Sequence, residues 1–304
     1  MRRILFPLIL GLGLQLGAQE VLFEGHVYDS KTKAPIPYVN LSFLNTLKGT
    51  STDEKGHFFI EVSPDYLERQ LHISSLGYTD TLIAAKQLFT AKRLYMTAET
   101  FELDEVVLTE NFRGTEVMNP ITSYSLTSGF SSSATPWVLG LYFPNIGAQK
   151  KYLQQVTVFL KKNTQFKHES AKFRIRIYAV DPISNTPAAD LLRKSIVLEH
   201  KVANDYVSID LEALQIEMPR AGVFIGLEWL FVPSNWYRHL TIDPLTNKRV
   251  VEDRFAPTFQ GVYSPNENYR VMIYGMGEWT DFQVRSKNNT SNFIPAISLK
   301  LKTG

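Results

Sequence analysis

Apolar side chains recur at every second residue along this chain, and that period of two constrains its fold more than any other feature. Phe173, Ile175 and Ile177 alternate with Arg174 and Arg176, which puts the apolar set on the inner face of a strand and the arginines on the outer one. Val39, Leu41 and Phe43 alternate with polar residues in the same way, as do Val156, Val158 and Leu160, and Val207, Ile209 and Leu211. Residues 222–232 are apolar on both faces, the pattern of a central strand covered on each side. From residue 122 onward a helical period is missing beyond a turn expected at 188–192. With turn residues between short strands, the expected fold is all-β. At about 100–200 residues per domain, the 304 residues suggest two β-sandwich domains.

The N-terminus carries Arg2 and Arg3, an apolar stretch from Ile4 to Leu14, and then small residues ending at Ala18. This is the pattern of a secretory signal peptide over residues 1–18, too short for the roughly 20 residues of a spanning helix. No later segment is apolar enough to span a bilayer as a helix, so no transmembrane helix is expected in the mature chain. Loss of Arg2 and Arg3 from the 32 basic residues leaves 30, against 30 acidic ones. Such a balanced chain lacks the positive field that nucleic-acid binding requires. The chain has no cysteine, which excludes disulfides, thiolate catalysis and cysteine-held metals.

From residue 21 to 109 a set of signals follows in order: Gly25, Val27 and Asp29; Pro35, Ile36, Pro37 and Val39; Gly49, Thr50, Thr52, Asp53, Gly56 and Phe58; Gly77 and Tyr78; and Leu103 to Thr109. Residues 19–109 thereby resemble a carboxypeptidase regulatory-like domain, a sandwich of the transthyretin (prealbumin) type. In Bacteroidetes such a domain often precedes the plug of TonB-dependent outer-membrane receptors. The resemblance implies an envelope setting. It does not imply transport, because the roughly 195 residues after Thr109 are too few for a plug and a large barrel. Nor does it imply peptidase chemistry. None of His26, His57, His72, His168, His200 and His239 has a glutamate three residues later, and His26 with Asp29 lacks convergent partners.

Residues 110–121 read as a linker, and 122–304 as a second sandwich of jelly-roll type. It resembles a C-terminal sandwich of Bacteroidetes envelope proteins of unknown role. Glu228 stands out here, a carboxylate between Leu227 and Trp229 in the doubly apolar strand. Burial without a partner is costly, so Arg174 or Arg176 is expected to pair with it. It could form the base of a pocket or a structural ion pair. Trp236, Tyr237, Tyr263, Trp279 and Phe282 are expected in loops or at strand ends, either as a glycan-stacking platform or as packing for their own loops. Asp243, Glu252 and Asp253 are a weak calcium signal that matches no ordered calcium loop.

The chain has no Gly-x-Ser-x-Gly elbow, phosphate loop, His-Glu-x-x-His or dinucleotide fingerprint. No catalytic residue, cofactor or metal is therefore expected. The expected role is a non-enzymatic envelope module that docks a protein partner, with carbohydrate binding as the alternative and an unrecognised carboxylate hydrolase third. The candidate binding residues are Glu228, Trp236, Tyr237 and Trp279. The exported chain is expected in the periplasm or at the outer membrane. Cleavage after Ala18 makes Gln19 the first residue of the mature protein. N-terminal sequencing of envelope material checks this, and a retained Met1 rejects it.

Overall fold

The computed structural model describes residues 19–99, 114–122, 125–133, 135–243, 245–288 and 290–304. The expected signal segment, the run from Leu103 to Thr109 and residues 110–113 of the expected linker lie outside them.

The N-terminal domain comprises β1 (Val21–Asp29), β2 (Asn40–Phe43), β3 (Gly49–Ser51), β4 (His57–Val62), β5 (Gln70–Ser74), β6 (Thr81–Ala84), helix α1 (Ala85–Ala91) and β7 (Arg93–Met96). One sheet has the order β4-β1-β7, with β1 and β7 parallel, and the other β3-β2-β5-β6. Phe23 and Val27 from β1 meet Leu41 and Phe43 from β2, and Leu71 and Ile73 from β5, in one buried core. The alternation inward is therefore the expected one. Conversely, Asn40, Ser42, His72 and Ser74 occupy the outward positions of β2 and β5.

The motif residues of this domain serve its turns. Asp29 accepts the backbone N–H groups of Lys31 and Thr32 at 2.8 and 2.7 Å. Asp53 does the same for Lys55 and His57. Gly56 has φ +72°, and a Cβ there would lie 2.7 Å from the Val27 carbonyl, so no larger residue fits without strain.

The C-terminal domain contains β8 (Gly114–Met118), β9 (Leu126–Ser132), β10 (Val138–Phe143), β11 (Lys151–Lys161), β12 (Ser170–Val180), β13 (Pro187–Asp190), β14 (Ile196–Lys201) and β15 (Tyr206–Asp210). It continues with β16 (Val223–Trp229), β17 (Trp236–Ile242), β18 (Arg249–Ser264), β19 (Val271–Gly275), β20 (Glu278–Phe282), β21 (Asn292–Pro295) and β22 (Ile297–Thr303). A seven-stranded sheet follows β13-β12-β16-β10-β19-β20, with β14 also on β12. An eight-stranded sheet follows β17-β18-β11-β22-β8, joined by β9, β15 and β21. The two enclose a core in which Phe173, Ile175 and Ile177 face Val156, Val158 and Leu299.

Two expectations give way here. Residues 114–118, assigned to the linker, form β8 and pair with β22 from Met118↔Leu299 to Gly114↔Thr303. Buried Met118 and the Asn119 side chain, bonded to the Ile297 carbonyl, hold that strand to the sheet. The turn expected at 188–192 is instead strand β13, an edge strand beginning at Pro187, where a missing N–H costs no ladder bond.

His200 on β14 is buried, with Nε2 2.8 Å from the Asn204 carbonyl. Burial pushes its pKa below the ordinary 6.5, against the opposing pull of that carbonyl and Asp205. The unfolded chain therefore takes up a proton at a pH where the folded chain does not. The stability this group contributes is complete above about pH 6.5 and is lost as pH falls toward the lower folded value. Thermal melts should show the wild type losing stability as pH falls below about 6.5 more steeply than His200→Gln. Parallel curves for the two proteins would reject the assignment.

Candidate functional site

The seven-stranded sheet has two buried faces. Val223, Ile225, Leu227 and Trp229 of β16 point into the sandwich core. Phe224, Gly226 and Glu228 point the other way, beside Val138, Tyr178 and Met272. On that second face Phe224 packs among Val138, Tyr178 and Met272 of its own domain, whereas Glu228 lies under the outward face of β2, where Asn40 meets it. Strand β12, the neighbour of β16, places Arg174, Arg176 and Tyr178 on the same face, with Arg174 opposite Glu228 in the ladder.

Arg174 was expected to point outward, and it does point away from its own sandwich core. It is nevertheless 0% exposed, because the other domain covers it. Each part of its guanidinium has a separate acceptor. Nε donates to Ser195 Oγ at 2.8 Å, Nη1 to Glu228 Oε1 at 2.8 Å, and Nη2 to the Tyr38 carbonyl of the N-terminal domain. Tyr38 holds a left-handed φ of 57°, a conformation that costs a residue of its kind on the order of 1–3 kcal/mol and that the surrounding contacts must maintain.

Glu228, 1% exposed, completes the junction. Its Oε1 also accepts the Asn40 side-chain amide from the N-terminal domain, and its Oε2 accepts Arg176 Nη1 at 3.2 Å. Arg176 Nε in turn donates to Asp190 Oδ2 at 2.5 Å. Both expected pairings of Glu228 are thus present at once. Two arginines face two carboxylates, so the cluster is neutral within itself. Burial draws Arg174 below the ordinary arginine pKa against the pull of Glu228. Burial pushes the Asp190 carboxyl up, and Arg176 opposes it.

Further contacts tie the domains together. Phe231 N donates to Ser51 Oγ at 3.0 Å, and Ser51 Oγ donates to Asn40 Oδ1 at 2.8 Å. Lys172 Nζ lies 2.5 Å from Glu54 Oε1, a bond that holds the Glu54 carboxyl below the usual range. Leu76 of the N-terminal domain is buried in the C-terminal core. Beside the cluster a cavity of about 200 Å³ stays open between the sheets. Glu228, Arg176 and Trp279 line it from one domain, and Ser42, His72 and Asp80 from the other.

The expected aromatic platform is dispersed. Trp236 and Tyr237 begin β17, Trp279 stands second in β20 and Phe282 ends it, so they sit at strand ends, one of the two expected placements, but on different strands. Tyr237 is buried against Phe166, with ring centroids 5.6 Å apart. Phe282 packs edge-on to Phe130, while Trp236 and Tyr263 are exposed. Only Trp279 shares a site with Glu228 among the four candidate binding residues. The calcium signal dissolves likewise: Asp243 caps the turn at Leu245 and Thr246, and Glu252 pairs with Arg254 at 3.0 Å. Among the described residues no group of three or more His, Asp or Glu could hold a metal ion. Tyr38, Asn40 and Ser51 escaped the sequence reading, and the outward polar positions of β2 were the available signal.

The fold and this junction define a protein of two β-sandwiches, of which the first is a non-catalytic module. Residues 23–108 match the model of the CarboxypepD_reg-like domain family, and the N-terminal sandwich is a domain of that family. Two solved structures are similar at low identity. The cysteine protease and lectin-like domains of Cwp84, a surface layer associated protein of Clostridium difficile, share 11% identity at TM-score 0.36, over 93% of this chain and 58% of that one. The clostridial cysteine protease Cwp84 after propeptide cleavage shares 10% at TM-score 0.36, over 92% and 70%. No curated protein matches the chain.

Removing one partner from a buried ion pair strands the other charge, at a cost of about 3–5 kcal/mol. Glu228→Gln is expected to lose stability on that scale in urea unfolding. A joint Arg174→Met and Glu228→Leu variant should recover part of it, because no buried charge is left facing an empty partner. A Glu228→Gln protein within about 1 kcal/mol of wild type would show that the pair does not hold the junction.

Proposed function

We propose that this chain is a non-enzymatic protein of the bacterial cell envelope, exported to the periplasm or the outer membrane. In this reading it docks a protein partner on the hairpin formed by β17 and the start of β18. The N-terminal residue pattern and the regulatory-like domain support the setting. One observation carries the docking reading: four large apolar side chains stand on the exposed side of the hairpin, interleaved with Arg238, Arg249 and Asp253. Trp236, Leu240 and Ile242 are exposed along β17, and Val251 is exposed opposite Leu240. At the tip, Leu245 is 95% exposed. Apolar side chains gathered on one exposed strand pair mark an interaction surface.

Two details specify the partner's chemistry. Gln165 bonds both backbone groups of Leu240 through its side-chain amide, which blocks strand addition along that part of the β17 edge. Docking therefore proceeds through side chains, onto an apolar protein patch. The charges around the hairpin are balanced, with Arg238, Lys248 and Arg249 against Asp243, Glu252 and Asp253. That balance fits a mixed polar rim on a protein and lacks the basic excess that anionic lipid attracts. Among the described residues no helix is long and apolar enough to cross a membrane.

A photo-crosslinking residue at position 240 should capture one envelope protein in cells, and a probe at exposed position 183 should not. Joint Trp236→Ser and Val251→Ser substitution should abolish that capture while the melting temperature holds. Capture that survives the double variant, or flotation of the purified protein with phosphatidylglycerol vesicles in place of any protein adduct, rejects the reading.

A further inference from the structure

We infer that the cleft between the two sandwiches is a binding site for one neutral sugar residue. The inference goes beyond the docking role and uses a different surface, so either can fail alone.

The cavity has about 200 Å³ of room, the scale of a single small ring rather than of a chain laid along a groove. It joins an apolar wall to a polar one. Trp279 and Tyr274 form the apolar wall, their rings tilted at 54° with centroids 5.3 Å apart, and Trp279 meets Tyr178 edge to face at 5.4 Å. Partly buried indole and phenol rings held in this way offer flat carbon surface with little entropy left to lose. The opposite wall is the outward face of β2 and β5 with the loop that follows, and it supplies Ser42, Ser74 and Asp80. The Ser42 and Ser74 hydroxyls make no hydrogen bond to another described residue. Asp80 uses one carboxylate oxygen for His72, at 3.1 Å, and stands largely exposed. At the floor, Arg176 commits Nε and Nη1 to Asp190 and Glu228. Its Nη2 has no partner among the described residues.

These groups select the ligand by chemistry. The lining offers a spare donor at Arg176, a spare acceptor at Asp80, and serine hydroxyls that act as either. A vicinal diol can satisfy both kinds from one face while its C–H face lies on Trp279. An anion gains little, because Glu228 and Asp190 already neutralise the two arginines and Asp80 adds a further negative charge. A purely apolar ligand would strand the polar wall. No bond is made or broken, and nothing in the cleft is asked to act as a catalyst.

The test uses the purified chain without its leader, methyl glycosides of glucose, galactose, mannose and N-acetylglucosamine, and glucose 6-phosphate as the charged contrast. Saturation-transfer NMR and tryptophan fluorescence read the binding. At least one neutral glycoside should bind saturably and more tightly than the phosphate. Trp279→Ala should weaken it about tenfold. Ser42→Phe, which fills the cleft from the other domain at a ladder position opposite His72 and not opposite Asn40, should abolish it with the melting temperature retained. Trp236→Ala, on the hairpin, should leave it unchanged. No saturable binding by any neutral glycoside, tighter binding of the phosphate, or equal losses in Trp236→Ala and Trp279→Ala would overturn the inference.

Discussion

Everything distinctive about this protein passes through the pair formed by Arg174 and Glu228. Neither residue could be so deeply buried if the C-terminal sandwich stood alone, because they lie on its outer face. The N-terminal domain removes them from water and in exchange supplies the Tyr38 carbonyl and the Asn40 amide. A buried ion pair is a weak source of net stability, since desolvation cancels most of its attraction. What it supplies is geometric. A guanidinium with three separate acceptors accepts few orientations, and one of those acceptors belongs to the other domain. The junction therefore specifies how the sandwiches meet more than how strongly they do so. Apolar contacts such as Leu76 against the C-terminal core supply adhesion.

The two sheets of the C-terminal domain have consequently taken different tasks. The seven-stranded sheet is spent inward, with one face in its own core and part of the other under the neighbouring domain. Its open remainder is the cleft beside Trp279. The eight-stranded sheet keeps an ordinary solvent face and extends β17 and β18 into a hairpin whose apolar side chains remain uncovered. Rigid mounting would serve both proposed surfaces, because side chains held in place before binding lose less freedom when a ligand arrives. Gln165 adds a second kind of control at the hairpin. By occupying the backbone groups of Leu240 it restrains nonspecific strand pairing while leaving the side chains available.

Strand alternation was legible because it depends only on neighbours in sequence. The inward sets at Phe173, Ile175 and Ile177, and at Leu41 and Phe43, follow directly from it. Glu228 was also legible as a residue in need of a partner, since two arginines lay on a strand of matching character. What covers an outward face was not legible. Arg174 and Arg176 follow the same alternation, yet one is sealed and the other borders a cavity. That difference depends on how another domain docks, and no local pattern records it. The hairpin was missed for a related reason: Tyr237 is the buried member of β17 because Phe166, more than seventy residues earlier, packs beneath it. The strand β8 was hidden by its turn-like flanks, with Gly114, Asn119 and Pro120 masking a short paired segment.

The family motif of the N-terminal domain points to the same division between local and remote constraint. Its glycines and aspartates are consumed by turns: Asp29 and Asp53 bond to the backbone just beyond them, and Gly56 occupies a conformation closed to larger residues. Its apolar members fill the core. Such residues establish that the sandwich folds, and they contain no information about what it touches. The outward positions of β2 and β5 are free of that duty, and Asn40, Ser42, His72 and Ser74 stand there. Asn40 reaches Glu228, whereas Ser42 and His72 face the cavity. A domain whose fold is secured by its turns can change such positions without risk to its core. Its identity as a regulatory-like module therefore leaves its partner and ligand open, and these few outward residues, adjusted to the particular sandwich that follows, are where specificity resides.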